Sequence, residues 1–328
     1  MKQYPLLQSQ MGVFLECQTY PDNTQYNLPF RVALDHSADA HALAAAWEKL
    51  IRQNAVLRAR FTVDEDGIPR QWPDNDMSVD VPIRRMTESE AESYISDGFV
   101  RPFDVLGGDP LFRVELIKTE NNLHMLMDFH HLIMDGFSYS SLVDRGLLAI
   151  LQGREKPVDE SFFKIAEEEE AYFETEEYQK SREYFVSTLS GYECAGLSDI
   201  TAATGRLVTH VETIDKKTCD LWCIEHDLDC QALFQTAFAL TLGRLARTDE
   251  PVFCTSYHSR VNRSMMRSAG MFVNNVALKI DLAPDRNVSE LIRVVKENTE
   301  KAYSMGRFPF THLNRELGLV PRDRKSVV

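Results

Sequence analysis

The stretch DFHHLIMDG, Asp128–Gly136, is the part of the sequence from which both fold and function can be argued. Leu123–Phe129 leads into it with a strand pattern, and Phe137–Gln152, which follows Gly136, has a helical pattern. At such a junction rigid backbone delivers side chains to a cleft, and unpaired helix N–H groups face developing negative charge. The location of the two histidines therefore predicts a catalytic site.

Strand and helix patterns alternate along the rest of the chain, which predicts a mixed α/β fold with a central sheet. Further strands are predicted at Phe30–Leu34, Val56–Phe61, Leu111–Lys118, Arg206–Val211, Val252–Tyr257 and Phe272–Ile280, and helices at Asp39–Gln53, Thr87–Val100, Lys216–Glu225, Cys230–Leu245 and Ser289–Tyr303. Because the element order is similar in both halves, we expect an N-terminal lobe, residues 1–177, that carries the histidines, and a C-terminal lobe, residues 178–328.

Composition limits the classes of function. A chain of 328 residues, of which 44% are hydrophobic, is long enough for about two domains. Its 36 Lys and Arg against 50 Asp and Glu leave a net charge of −14, which repels nucleic acids and anionic membranes. The sequence has neither a membrane-span pattern nor a signal-peptide pattern. We therefore expect no nucleic-acid or membrane partner, a cytosolic location, and six reduced cysteines.

Several common catalytic patterns are absent from the sequence: the phosphate loop, the glycine pattern of dinucleotide-binding folds, the serine-hydrolase elbow and the zinc-protease pattern. Cys219, Cys223 and His226 have spacings that can share one helical face, and Cys230 follows. Apolar residues lie between them, however, which favours small buried thiols over a metal site. We therefore expect no metal.

Together the motifs resemble those of condensation domains of nonribosomal peptide synthetases, in the chloramphenicol acetyltransferase-like superfamily, whose hallmark is HHxxxDG. Motifs similar to the family's others follow its order: Gln8-Ser9-Gln10 with Tyr26–Pro29, Asn54–Phe61 for RHExLRTxF, Pro102-Phe103-Asp104 with Pro110–Arg113 for PFD and PLxR, and Gly270–Asn275 for GxFVNT. The resemblance covers essentially the whole chain. It implies a two-lobed, V-shaped pseudo-dimer.

The chain departs from the family pattern at three places. Arg52-Gln53-Asn54 stands where the family has Arg-His-Glu, and Met305–Phe310 stands where HQDxPF is common. Pro321–Val328 resembles the beginning of the RDxSR motif, beyond which family members continue. The resemblance therefore implies a C-terminal lobe that is truncated and incomplete.

The resemblance also implies the reaction, which is amide bond formation. The α-amine of an acceptor aminoacyl thioester attacks the carbonyl of a donor acyl or peptidyl thioester. Each thioester is carried on the phosphopantetheine arm of a carrier protein, so no cofactor bound directly by the chain is expected. The implied partners are the donor and acceptor peptidyl carrier proteins and an adjacent adenylation domain. Because a thioester is already activated, orientation of the reactants can supply much of the catalysis.

Two residues are the candidate catalytic groups. His131 can accept or hold the amine's proton near neutral pH, as a base or as a positioner, although a buried structural histidine is the alternative. Gly136 allows close approach of the backbone, and its N–H is expected to donate to the oxyanion. Strand alternation points His130 to the opposite face from His131, which favours a structural, hydrogen-bonding role for His130.

Four further residues are expected to support the site. In family members the motif aspartate pairs with an arginine, which implies that Asp135 pairs with Arg260, while a triad with His131 is the alternative. Ser138 offers a hydroxyl to the reaction or caps the helix. Asn274 matches the asparagine of GxFVNT and is expected to border the cleft, with a role at a strand end as the alternative.

Three other functions stay open. An epimerase-type relative shares HHxxxDG, but Phe137–Ser140 lacks the S-W-R run common there. A CoA-dependent acyltransferase of the same superfamily would consume free acyl-CoA. A non-catalytic recruitment platform is the third, although that class usually loses the histidines that this chain retains.

Overall fold

The computed structural model describes residues 2–154, 156–192, 211–283 and 285–318. The chain divides into two compact units: Met1–Glu174 with His258–Val273, and Thr175–Tyr257 with Asn274–Val328. The sequence pattern places the lobe boundary after residue 177 and assigns residues 258–273 to the second lobe. In the structure this segment belongs to the first unit, because Arg260 forms a buried ion pair with Asp135.

The first unit contains two sheets. Its strands are β1 (Tyr4–Pro5), β2 (Asn27–Asp35), β3 (Ala59–Val63), β4 (Pro69–Pro73), β5 (Ile83–Arg85), β6 (Phe112–Lys118) and β7 (Asn122–His130). One sheet has the order β1-β4-β3 and the other the order β2-β7-β6-β5. Strand β7 pairs antiparallel with both β2 and β6, and each of its residues after Asn122 is buried. Strand β7 is therefore a central strand covered on both faces, and its polar residues His124, Asp128 and His130 are buried with the apolar ones.

Helices cover these sheets. They are α1 (Gln8–Thr19), α2 (Ala40–Gln53), α3 (Glu88–Ser93), α4 (Gly136–Tyr139), α5 (Leu148–Leu151), α6 (Ser161–Tyr172) and α10 (Arg263–Arg267). Helix α2 begins after Asp39, whose carboxylate accepts the N–H groups of His41 and Ala42. Its apolar face buries Trp47 completely, with the indole 6.2 Å from the ring of Phe129 on β7. The predicted helix over Asp39–Gln53 is thus confirmed.

The predicted junction between strand and helix is also confirmed. Strand β7 ends at His130 and α4 begins at Gly136, capped by Asp135. Wider π-helical turns at Ser140–Leu147 join α4 to α5, so the predicted helix continues to Leu151.

The predicted strand at Val56–Phe61 is wrong in its first half, because Ala55–Arg58 forms a 3₁₀ turn before β3. Buried Arg58 stabilises this turn by donating to the carbonyl oxygens of Asp74 and Arg52. A long polar side chain with backbone acceptors 16 and 6 residues away therefore overrides the alternating pattern.

The second unit has a smaller sheet and its own core. Its elements are α7 (Glu176–Leu189), α8 (Lys216–Glu225), α9 (Cys230–Ala246), β8 (Val252–Tyr257), β9 (Asn274–Lys279), α11 (Val288–Ser304) and α12 (Phe310–Glu316). Strands β8 and β9 pair antiparallel. Ile292 and Val295 of α11 and Leu278 of β9 are buried in the core. The predicted α8, α9, β8 and α11 are confirmed within two residues at each end.

Two predicted strands in the second half differ from the structure or are not described. The strand predicted at Phe272–Ile280 begins only at Asn274, because the Phe272 N–H donates to the Asp135 carboxylate. Of the strand predicted at Arg206–Val211, residues 206–210 lie outside the described residues. Across the described ranges, none of the helices combines the length and the apolar character that a membrane span requires.

We expect Trp47→Ala to lower the free energy of unfolding by about 3–5 kcal/mol, because it leaves a cavity under β7. The matched control is Trp222→Ala on α8, whose side chain is 36% exposed, and its effect should stay below about 1 kcal/mol. Urea denaturation measures both. Equal losses in the two variants would contradict the packing described for α2.

Candidate active site

The site is built on the loop between β7 and α4. The His131 N–H donates to the Tyr26 carbonyl at 2.8 Å, which holds the residue after β7 in place. Four positions on, the Asp135 carboxylate accepts the Ser138 N–H at 2.8 Å and caps α4. The loop is therefore fixed at both ends, and the side chains between them have defined directions.

A buried ion pair joins this loop to the segment 258–273. Arg260 donates from Nη1 to Asp135 Oδ2 at 2.7 Å and from Nη2 to Asp135 Oδ1 at 3.0 Å. The two side chains are 0% and 1% exposed. The guanidinium also lies over the rings of Phe137 and Phe272, at 4.5 and 4.4 Å from their centroids. A buried pair offsets its desolvation only with such geometry.

The contacts of Asp135 favour a structural role over the triad alternative. Besides Arg260, its carboxylate accepts the Ser138 N–H and, at 3.0 Å, the Phe272 N–H. Both oxygens are engaged by these donors, so neither needs a proton donor from His131. The aspartate holds the loop, the cap and Phe272 together.

Ser138 is placed differently from both of its predicted roles. Its hydroxyl is buried, donates to the Gly270 carbonyl at 2.9 Å and accepts the Gly270 N–H at 3.0 Å. It also accepts from Arg260 Nη2 at 2.7 Å. The hydroxyl therefore ties α4 to residue 270 and is not available to a substrate, while the cap of α4 comes from Asp135.

His130 is buried, 3% exposed, and has a defined tautomer. Its Nδ1 accepts the backbone N–H of Leu132 at 3.1 Å, which leaves the ring proton on Nε2, 3.4 Å from Cys17 Sγ. Burial, together with the positive charges nearby, lowers the pKa of His130 to about 3. The ring is therefore neutral at physiological pH, and its neighbours occupy both nitrogens.

His131 has a different environment. It is only partly buried, and its Nδ1 lies 3.1 Å from the sulfur of Met271. Burial lowers the pKa of His131 below its ordinary value, so the ring is neutral and keeps one nitrogen lone pair at neutral pH. The two histidines thus have distinct environments, although His131 lies in the turn after β7 and not in the strand whose alternation predicted the difference.

Gly136 is the exposed first residue of α4. No heavy atom lies within 4 Å of the position that a Cβ would occupy there. The start of the helix beside His131 is therefore open to an approaching group, and helix N-termini stabilise negative charge.

Asn274 belongs to the second unit, at the start of β9. Its amide donates to the carbonyls of Gly306 and Phe308, at 2.9 and 2.7 Å, and its oxygen accepts the Phe310 N–H. These contacts tie β9 to the turn before α12. They favour the role at a strand end that the sequence left open.

Sequence reasoning assigned no role to Cys17, which contacts His130, or to Met271, which contacts His131. It also assigned none to Ser9, whose hydroxyl donates to the Met271 carbonyl. Met271 lies inside the motif GMFVN, but its contact with His131 joins residues 140 positions apart. No local pattern in the sequence signals such a contact.

The cysteines around α8 form a packed group. Buried Cys223 contacts Cys230, and burial with this contact raises the pKa of the Cys223 thiol. The His226 ring stacks on Trp222. Within the part of the chain that the structure describes, no group of three or more His, Cys, Asp or Glu side chains has a metal-binding arrangement.

Comparison with known proteins gives a family model and curated relatives. The model described as Condensation domain matches residues 1–327. Tyrocidine synthase 2 from Brevibacillus parabrevis is 25% identical over 335 residues, which cover 96% of this chain and 9% of that protein. Surfactin synthase subunit 2 from Bacillus subtilis (strain 168) is 27% identical over 336 residues, covering 98% and 9%. The chain thus spans less than a tenth of the length of these relatives.

Solved structures show the same fold. The first condensation domain of the calcium-dependent antibiotic synthetase has a TM-score of 0.80 at 20% identity, over 97% of this chain and 78% of that one. The condensation domain of a monacolin K polyketide synthase has a TM-score of 0.84 at 16% identity, over 97% and 76%. The predicted α/β fold of the chloramphenicol acetyltransferase-like type is therefore confirmed.

We expect Arg260→Gln to lower the free energy of unfolding by about 3–5 kcal/mol, because it leaves a buried carboxylate without its cation. The matched control is Arg31→Gln. Arg31 also donates two hydrogen bonds to one carboxylate, that of Glu92, but these side chains are 37% and 54% exposed. Its loss should stay below about 1 kcal/mol. Urea denaturation that gave equal losses would contradict the structural role of the pair.

The neutral, buried His130 predicts a loss of stability in mild acid. Since its pKa is about 3 in the folded protein and near 6.5 when unfolded, only the unfolded chain takes up this proton between those pH values. The contribution is complete above pH 6.5 and is lost as the pH falls towards 3, by about 1.4 kcal/mol at one pH unit below 6.5.

The control for this prediction is His130→Asn, whose side-chain oxygen can still accept the Leu132 N–H. Urea denaturation at pH 7.5 and 5.5 should show the extra loss in the wild type and not in the variant. The same pH dependence in both proteins would show that His130 does not stay neutral in the fold.

Proposed function

The chain belongs to the condensation domain family, and from that premise we propose that it forms an amide bond between two thioester-bound substrates. The donor is an acyl or peptidyl thioester and the acceptor an aminoacyl thioester with a free α-amine. Each is presented on the phosphopantetheine arm of a carrier protein, so that donor and acceptor carriers and a neighbouring adenylation domain are the proposed partners. A cytosolic location stays a prediction.

One observation carries the proposal: a neutral, partly exposed imidazole stands beside the open start of a helix. His131 is the only histidine of the HHxxxDG stretch that is not fully buried, and Gly136, five residues further along the same loop, is exposed. Every other side chain of the loop with polar atoms, from His130 to Asp135, is engaged in holding the loop. The arrangement offers a base and an anion-stabilising N-terminus at one place.

The proposed reaction begins with attack of the acceptor amine on the thioester carbonyl carbon. A new C–N bond forms, and the carbonyl oxygen takes negative charge that the N–H groups at the start of α4, Gly136 first, stabilise. The neutral ring of His131 accepts the proton that the amine loses. The C–S bond then breaks, and the departing thiolate takes the proton from the imidazolium, which restores the neutral ring.

The lowered pKa of His131 suits this task. Because the neutral ring is favoured over its protonated form, the lone pair is available throughout the neutral range and is lost only in acid. Orientation of two activated reactants supplies the remainder of the rate enhancement.

We expect His131→Ala to reduce amide formation by about 100-fold or more, since a positioned acid–base group contributes about that much. The assay loads two carrier proteins with a panel of acyl and aminoacyl thioesters and follows the amide product by mass spectrometry. The control is His41→Ala, which changes an exposed side chain on α2 and should retain wild-type activity. Thermal denaturation of both variants shows whether the fold is retained.

The same assay distinguishes the other functions. Product from free acyl-CoA but not from the carrier-bound donor would identify a CoA-dependent acyltransferase. Exchange of the substrate's α-proton for deuterium without amide product would identify an epimerase-type reaction. Full activity of a folded His131→Ala variant would overturn the proposed role of the imidazole.

A further inference from the structure

We propose that Met271 is a positioning residue whose thioether sulfur accepts the Nδ1–H of His131 and so keeps the lone pair on Nε2. The inference deepens the proposed function, on which the catalytic meaning of the Nε2 lone pair rests. The tautomer itself is a property of the free protein and can be measured without any substrate.

The contact between His131 Nδ1 and Met271 Sδ pairs a ring nitrogen with a sulfur that has no hydrogen to donate. His131 Nδ1 lies 3.1 Å from Met271 Sδ. A thioether sulfur has lone pairs and no hydrogen, so it can only accept. If Nδ1 also carried a lone pair, two lone pairs would face each other across this distance. The contact is therefore favourable only when the proton is on Nδ1, which leaves Nε2 as the basic nitrogen.

The backbone on both sides of Met271 is held by residues of the site. The Gly270 N–H donates to the Ser138 hydroxyl, and the Phe272 N–H donates to the Asp135 carboxylate, each at 3.0 Å. The carbonyl of Met271 accepts the Ser9 hydroxyl at 2.8 Å. Met271 is only 6% exposed, so the packing around its side chain restricts the position of the sulfur.

The chain reaches Met271 through a turn at Gly270. Gly270 has a φ of +143°, and a Cβ added there would lie 2.2 Å from the ring of Phe162. Only glycine accommodates both the backbone conformation and the close ring. The turn that delivers Met271 to His131 is thus specified by the sequence and by packing against α6.

The neighbouring histidine provides an internal contrast. A backbone N–H, that of Leu132, can only donate, so it makes Nδ1 of His130 an acceptor and leaves that ring's proton on Nε2. An acceptor-only sulfur has the opposite effect on His131. Two adjacent imidazoles are therefore held in opposite tautomers by partners of opposite hydrogen-bonding character.

The test is the nitrogen chemical shifts of the His131 ring in ¹⁵N-histidine-labelled protein without substrate, with the signals assigned by their loss in His131→Asn. The wild type should show a protonated Nδ1 and an unprotonated Nε2. Met271→Leu has a similar volume but no acceptor. It should shift both signals towards a mixture of tautomers and lower kcat for amide formation about three- to tenfold, with little change in KM.

Two controls separate this role from a packing effect. Met266→Leu changes an exposed methionine on α10 of the same unit and should leave both signals and kcat unchanged. Replacement of methionine by selenomethionine keeps a soft acceptor at position 271 and should preserve the wild-type tautomer. If Met271 only filled space, Met271→Leu would leave Nδ1 protonated and Nε2 unprotonated, whereas loss of the acceptor redistributes the proton between the two nitrogens.

Each result of these measurements either supports or contradicts the role proposed for Met271. A protonated Nε2 on His131 of the wild type overturns it, even if Met271→Leu does not fold. Unchanged ring signals in a folded Met271→Leu variant also overturn it. If the signals shift as expected while neither protein forms an amide, the positioning role of Met271 stands and the proposed function fails.

Discussion

The buried contact between the carboxylate of Asp135 and the guanidinium of Arg260 is the interaction on which the rest of the site depends. It joins two parts of the chain 125 residues apart and excludes water from both charges. Such a pair is costly to desolvate, and it is retained here with additional donors on the carboxylate. Through the Ser138 and Phe272 N–H groups it fixes both the start of α4 and the path of residues 270–272. The loop that presents His131 is thereby defined from two sides.

Around this pair, two chemically identical side chains acquire different properties. His130 and His131 are neighbours in sequence, yet the first is buried against Cys17 and the ring of Phe103. The second reaches the surface beside the open start of a helix. The difference arises because β7 ends at His130, so that His131 lies in the turn after the strand, and because each ring meets different hydrogen-bonding partners. Burial lowers the pKa of both rings, but only His131 is partly exposed, whereas His130 is buried.

Much of this could be predicted from local sequence, because caps and periodicity are local. The junction of β7 and α4, the Asp39 cap of α2 and the Thr87 capping box of α3 all follow from neighbouring residues. The contacts that decide individual roles are not local. The Ser138 hydroxyl contacts a residue 132 positions away, and Arg58 stabilises a turn in place of a predicted strand by donating to the carbonyl of Asp74, 16 positions away. Alternation and motif order contain no information about such partners.

The first unit is discontinuous in sequence, and this has a practical consequence for exchanging parts between related enzymes. A crossover placed between Glu174 and Thr175 would take the motif aspartate from one parent and residues 258–273 from the other. In the hybrid, the Asp135–Arg260 ion pair, the packing of Gly270 against Phe162 and the contact of Met271 with His131 would each combine residues from two different parents. Exchanges that move residues 258–273 together with residues 1–174 take all of these contacting residues from the same parent.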